Sequence, residues 1–226
     1  MNEEVKYIYL KAHPLFNNAD EHFTKAACAC MKVRTVARGE NISYGEGEYS
    51  KIYLLIQGKI KISDFSETDD ELIKDILTAP DIFGDLSLSN NLPAHEFAEA
   101  LTANSIICCF NVAEFKKLLQ ESPAMAIGYA GMVNQKLKKM ESRHSDLVFY
   151  DAKARLIRFI KYWAKTDGNR MGNKIVLHNY LTHSDIAAVI ATSRQSVNVL
   201  LNELRDAGLL FYNRKKIELN DQFIHH

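Results

Sequence analysis

Apolar positions along this 226-residue chain change their period twice. Residues 7–31 repeat with a helical period, broken at His13-Pro14 and restarted near Asn18 or Asp20, either of which can cap a helix. The pattern then alternates. VRTVARGENISYGEGEYSKIYLLIQGKIKISDF divides into short β-rich runs at Arg-Gly-Glu, Gly-Glu-Gly and Gln-Gly-Lys, and Gln57-Gly58 marks a tight reversal. ELIKDILTAP is a further run, and FAEALTANSIICCFNV is a strand pair about an Ala-Asn-Ser turn. Many short antiparallel strands at close spacing predict a small barrel or jelly roll. Within it, GDLSLSNNLPAHEFAEAL starts as a capped turn, passes through an Asn-Asn-Leu-Pro loop and leaves as a strand.

From Val112 the period is helical again. AEFKKLLQES is one helix, ended at Ser122-Pro123. A long helix follows to Tyr150. Ala126, Val133, Met140 and Leu147 repeat every seven residues on it, interleaved with Ala130, Leu137 and His144. That 4-3-4-3 spacing is a coiled-coil seam suited to a second copy of the chain, with His144 a polar seam residue. A second face, Met125, Tyr129 and Met132, is apolar only near the start of the helix and suits packing on the barrel. Asp151 can cap the next helix, DAKARLIRFIKYWAKT, after which TDGNRMGN reads as a loop and KIVLH as a strand.

The next forty residues carry the most chemistry. Thr182 or Ser184 caps a short helix, SDIAAVIA, in which Ala187 and Ala188 leave room for a crossing helix. Ala191-Thr192-Ser193 is a tight turn, and RQSVNVLLNELRDAG is a second helix with Val197, Leu200, Leu201 and Leu204 inward and Gly208 at its end. Two short helices joined in this way form a helix-turn-helix. LLFYN-RKK-IELN adds two strands around a basic turn, a wing. The second helix turns Arg194, Gln195, Asn198 and Asn202 outward, side chains that match guanine O6/N7 and adenine N6/N7. Thr182, Ser184, Ser193 and Ser196 lie at helix starts, where hydroxyls and N–H groups grip phosphates, and Lys215 and Lys216 can reach the backbone.

Charge sharpens this division. The net charge is zero, but residues 1–150 hold 16 Lys/Arg against 21 Asp/Glu, a balance of −5, and residues 151–226 hold 12 against 7, a balance of +5. A basic C-terminal part suits nucleic acid. No apolar run approaches a membrane span and the N-terminus lacks a basic signal region, so a cytoplasmic protein is expected, with no membrane partner. Cys28, Cys30, Cys108 and Cys109 include no C-x-x-C pair, so no metal is expected and buried thiols are the better reading than a redox or metal sensor. A cupin-like enzyme would need a histidine cluster, but the barrel region offers only His95, so no catalytic residue is assigned. The terminal His225-His226 are left out of the argument.

Together these residues make the chain resemble the Crp/Fnr family of bacterial transcription regulators, from about Leu10 to Leu219. The likeness is strongest over Thr182–Leu210, where T-x-x-[DE]-[IL]-A…S-R-x-[ST]-V…L…L-x-x-x-G-L[IL] stands almost complete, and KIYLLIQGKIKI and FGDLSL are similar to the family's barrel signatures. The resemblance implies an α+β fold: a cyclic-nucleotide-binding-like β-barrel or jelly roll with leading helices (1–122), a dimerisation helix (123–150) and a winged helix-turn-helix (151–226). It implies a homodimer that reads a two-fold symmetric double-stranded DNA site and acts on RNA polymerase. Arg194 keeps the family's first reading position, Gln195 replaces an acid and Val199 replaces a second Arg. A guanine contact is therefore expected in each half-site, within an altered site.

At the ligand end the resemblance implies a pocket around Phe83, Gly84, Asp85, Leu86, His95, Glu96 and Met140. The Gly84 amide and Asp85 stand where the ribose is held. His95 stands where an Arg grips the cyclic phosphate, and Glu96 where a Ser or Thr assists. Losing a bidentate Arg removes a strong charge-assisted pair, and a carboxylate adds repulsion. Residues 75–115 contain no Lys or Arg against six acids. No cofactor is expected, cAMP and cGMP are not expected as effectors, and a polar network or a neutral or cationic ligand is. The alternative is a cyclic-nucleotide-dependent regulator.

Overall fold

A computed structural model describes residues 2–46, 49–67, 70–89, 96–220 and Phe223. The Asn-Asn-Leu-Pro loop, His95 and His225-His226 lie outside the described residues. The chain divides into two compact units, 1–140 and 141–226, and the division falls inside the long helix.

In the first unit, α1 (Glu3–Ala12) begins four residues before the sequence pattern suggests, because Asn2 caps it and Glu3 and Glu4 favour its N-terminal dipole. His13 ends it and opens a 3-10 turn over Pro14–Phe16. Asp20 caps α2 (Glu21–Cys30), its Oδ1 accepting from the Phe23 amide at 2.7 Å. Among the described residues, nine strands follow: β1 (Lys32–Val36), β2 (Asn41–Ile42), β3 (Gly45–Glu46), β4 (Tyr49–Gln57), β5 (Lys59–Phe65), β6 (Glu71–Thr78), β7 (Asp81–Gly84), β8 (Glu96–Ala100) and β9 (Ser105–Asn111). Gly58 turns β4 into β5 with φ +95°, and a Cβ there would collide with Ser105 and Thr102.

The strands form two antiparallel sheets, β1-β9-β4-β3 with β7 added to β4, and β2-β8-β5-β6. They face each other as an open roll and do not close into a single barrel. Alternation along β4 and β9 explains the layering. Tyr53, Leu55, Ile107 and Cys109 point between the sheets, where they meet Ile60, Ile62, Leu77, Ala98 and Phe83. Ile52, Leu54, Cys108 and Phe110 point the other way, onto the helices. That outer layer is α1, α2, α3 (Val112–Glu121) and the start of α4 (Pro123–Phe149), whose Met125 and Tyr129 are buried there.

In the second unit, the Asp151 carboxylate accepts from the Ala154 amide at 2.8 Å and starts α5 (Ala152–Asp167). The segment read from sequence as a loop is instead a hairpin, β10 (Asn169–Met171) paired with β11 (Lys174–His178). All three β10 residues are exposed, so burial left no alternation to read. Next come α6 (His183–Ile190), α7 (Arg194–Asp206), β12 (Leu210–Tyr212) and β13 (Lys216–Asn220), the sheet running β10-β11-β13-β12. Leu156, Ile160, Trp163, Ile186, Val197, Leu201, Leu204 and Ile217 are buried at its centre.

Candidate nucleic-acid interface and effector site

Local hydrogen bonds fix the relation of α6 to α7. The Thr182 hydroxyl accepts from the Asp185 amide at 3.1 Å, while Asp185 Oδ2 accepts from the Thr182 amide at 2.8 Å and its hydroxyl at 2.7 Å. This is a closed capping box. The turn is made by Ala191 in the left-handed region, φ +51°. Arg155 of α5 holds it: Nε donates to the Ile190 carbonyl at 2.9 Å and Nη2 to the Ala191 carbonyl at 3.2 Å. Sequence reading missed Arg155, because its role depends on a neighbour 35 residues away. Ser193 caps α7 by accepting from the Ser196 amide at 3.0 Å, and the two hydroxyls pair at 2.9 Å.

The buried side of α7 is Val197, Leu201 and Leu204; Leu200 is half-buried. Arg194, Gln195, Asn198 and Val199 are exposed. Asn202 is not free to turn outward: it is half-buried and its Oδ1 accepts from the Tyr212 hydroxyl at 3.1 Å. Thr182 is exposed, but its proton is committed to Asp185, which leaves Ser184 the exposed hydroxyl on the first turn of α6. His183, which sequence reading passed over, lies 5.6 Å from the Tyr212 ring. Burial, then the Arg194 charge, lowers its pKa. In the wing turn, Asn213 Oδ1 accepts from the Lys215 and Lys216 amides at 2.8 and 2.9 Å. Arg214 and Lys215 are exposed, while Lys216 pairs with Glu218 at 2.5 Å. The surface is thus a helix end rich in guanidinium and amide groups beside a cationic turn, suited to base edges and phosphates.

In the first unit, Gly84 takes φ +98°, and a Cβ there would strike the Lys51 carbonyl. Asp85 is 3% exposed, and both its oxygens are engaged, by Ser50 at 2.8 Å and Ser87 at 2.6 Å. Leu86 packs toward the helical layer, its carbonyl accepting from the Tyr129 hydroxyl at 2.5 Å. Phe83 stacks on Tyr53 with centroids 4.8 Å apart.

Glu96 has a cationic partner that the sequence did not suggest. Lys74 lies 3.0 Å from Glu96 and 2.8 Å from Asp64. It falls one position outside the cation-free stretch, and strand pairing brings it back. Burial, then the Glu96 charge, pushes the pKa of the Tyr44 phenol up. Met140, expected to meet a ligand, is 60% exposed. Near it on α4, Lys136 and Lys139 turn to the roll, with Lys136 at 2.7 Å from Asp81 and Lys139 at 2.5 Å from Asp75. On the seam, Leu137 and Leu147 are 53% and 47% exposed, Ala130 and His144 are exposed, and Ala126 and Val133 are half-buried.

Burial raises the pKa of all four thiols, that of Cys108 to about 12, so they are poor thiolates at neutral pH. Among the described residues, no group of three His, Cys, Asp or Glu side chains could hold a metal ion, and no helix is long and apolar enough to cross a membrane.

Residues 33–122 match the family model of the cyclic nucleotide-binding domain, and residues 154–222 that of the Crp-like helix-turn-helix domain. The chain is 26% identical over 188 residues to the global nitrogen regulator of Synechococcus elongatus, covering 83% of this chain and 85% of that one. It is 24% identical over 185 residues to the CRP-like cAMP-activated global transcriptional regulator of Mycobacterium tuberculosis, covering 81% and 82%. Among solved structures, a CooA mutant from Carboxydothermus hydrogenoformans superposes with a TM-score of 0.73 at 22% identity over 93% of this chain and 92% of that one. The c-di-GMP-responsive regulator CLP of Xanthomonas campestris gives 0.76 at 17% identity over 89% and 99%.

Proposed function

The chain belongs to the Crp/Fnr family of DNA-binding transcription regulators, and on that premise we propose that it is a homodimer that reads a two-fold symmetric duplex and does not take a cyclic nucleotide as its signal. Residues 1–122 form the sensor, 123–150 the dimerisation helix and 151–226 the DNA-reading domain. The reading rests above all on the outward face of α7, where Arg194, Gln195 and Asn198 stand exposed behind a fixed N-cap. Arg194 takes a guanine through O6 and N7, and the two amides take adenine. Ser184, the α7 N-terminus, Arg214 and Lys215 hold phosphates. The seam Ala126, Ala130, Val133, Leu137, Met140, His144 and Leu147 meets the same seam of a second copy, which doubles the half-site and matches protein symmetry to DNA symmetry. The dimer works in the cytoplasm on promoter DNA with RNA polymerase.

The effector half of the reading rests on charge. Lys74 is already bracketed by Glu96 and Asp64, and Asp85 by Ser50 and Ser87. A cyclic phosphate placed beside Glu96 would meet one lysine shared by two carboxylates, not a free guanidinium. The retained Gly84 turn and buried Asp85 favour a second reading, in which a cyclic nucleotide still controls the protein.

The DNA assignment is tested with duplexes selected from a random pool by the full chain. Arg194→Ala is expected to weaken binding by about 10-fold or more per half-site, the worth of a bidentate guanine contact. Equal binding by both proteins contradicts the assignment.

A further inference from the structure

We infer that Val199 is a base-reading residue that selects thymine through its 5-methyl group. The inference rests on α7 being the reading helix and adds a base that its polar residues do not reach.

Exposure first separates Val199 from the other apolar residues of the helix. Val197, Leu201 and Leu204 are 0–2% exposed, whereas Val199 is 55% exposed. Its place on the helix then gives the exposure a meaning. Val199 follows Gln195 by four residues, so the two side chains share one stripe of the helix surface. Asn198 and Arg194 flank that stripe, and all of them are exposed. Lone exposed apolar residues are ordinary on protein surfaces. Here the apolar residue stands in line with three side chains that carry hydrogen-bonding groups.

Asn202 would be the next outward side chain along this face. Its carboxamide oxygen is held by the Tyr212 hydroxyl at 3.1 Å, which ties it to the wing strand. Val199 therefore forms the far end of the reading surface. A valine offers a base edge no donor or acceptor, only two methyl groups. In the major groove the one apolar group on any base is the thymine C5 methyl, so that is the group it can select. Branching at Cβ leaves the side chain close to one rotamer in a helix, which holds the methyls in place without an ordering cost. Gln195 and Asn198, on the same face, suit adenine, so the helix should favour A·T pairs next to the guanine taken by Arg194.

The test replaces each thymine of the selected duplex by deoxyuridine, which lacks only the methyl group, and measures affinity by fluorescence anisotropy. One thymine per half-site is expected to show a loss of about 4-fold, the equivalent of exposing one methyl group, and about 16-fold when both half-sites are changed. In Val199→Ala that loss should vanish at the same thymine, while replacing the guanine read by Arg194 should still weaken binding. The inference is overturned if Val199→Ala distinguishes thymine from deoxyuridine as the native chain does, or if no thymine methyl matters to the native chain. A full chain that selects no duplex at all overturns the DNA-reading assignment and this inference with it.

Discussion

His13 shows how one buried side chain sets a pH limit. It has no exposed surface. Its Nδ1 accepts from the Leu15 amide at 3.4 Å, so the proton sits on Nε2, which donates to the Asp81 carbonyl at 3.2 Å. Burial pushes its pKa down to about 4 from the ordinary 6.5, against the opposing pull of the Asp81 hydrogen bond. The unfolded chain therefore takes up the proton first. Stability is full above pH 6.5 and falls as the pH drops toward 4, by about 3 kcal/mol in all. His13→Asn should flatten this dependence, as measured by urea unfolding between pH 7 and 4; an unchanged slope would remove His13 as its source. The caps at Asp20, Asp151 and Ser193 were legible in the sequence because each acts within three residues. The Lys74–Glu96 pair was not, because those residues are 22 apart and meet only through strand register.

Two faces of α4 do different work. One begins with Met125 and Tyr129 in the helical layer and continues as Lys136 and Lys139 on the acids of the roll. Its apolar start was readable from spacing. Its charged continuation was not, since lysines at helical spacing resemble any solvated face until Asp75 and Asp81 are placed opposite. The other face, the 4-3-4-3 seam, leaves Leu137 and Met140 53% and 60% exposed in the single chain. Leu137→Glu should spare the fold of each chain and split the dimer, changing the mass from twice 25.7 kDa to 25.7 kDa in analytical ultracentrifugation. A native protein that sediments as a monomer would end the dimer proposal. The helix-turn-helix was legible almost to the residue, because caps, a small-residue crossing and a fixed hydrophobic period agree there. The β10 hairpin was not, because a fully exposed three-residue strand carries no burial pattern.

Across the whole chain, residues 1–150 with a balance of −5 are joined to residues 151–226 with a balance of +5. The contrast supports the proposal that phosphate contacts belong to the C-terminal part and that the effector is not an anion. Family membership alone does not name the effector. By their names, related regulators are cAMP-activated, c-di-GMP-responsive or global nitrogen regulators. The regulator proposed above reads DNA without cyclic-nucleotide control. Its most direct test is the anisotropy of a labelled, selected duplex titrated with the full chain, with and without saturating cAMP or cGMP. Superimposable binding curves are expected. Binding that appears, or tightens by 10-fold or more, only when a cyclic nucleotide is added would contradict it.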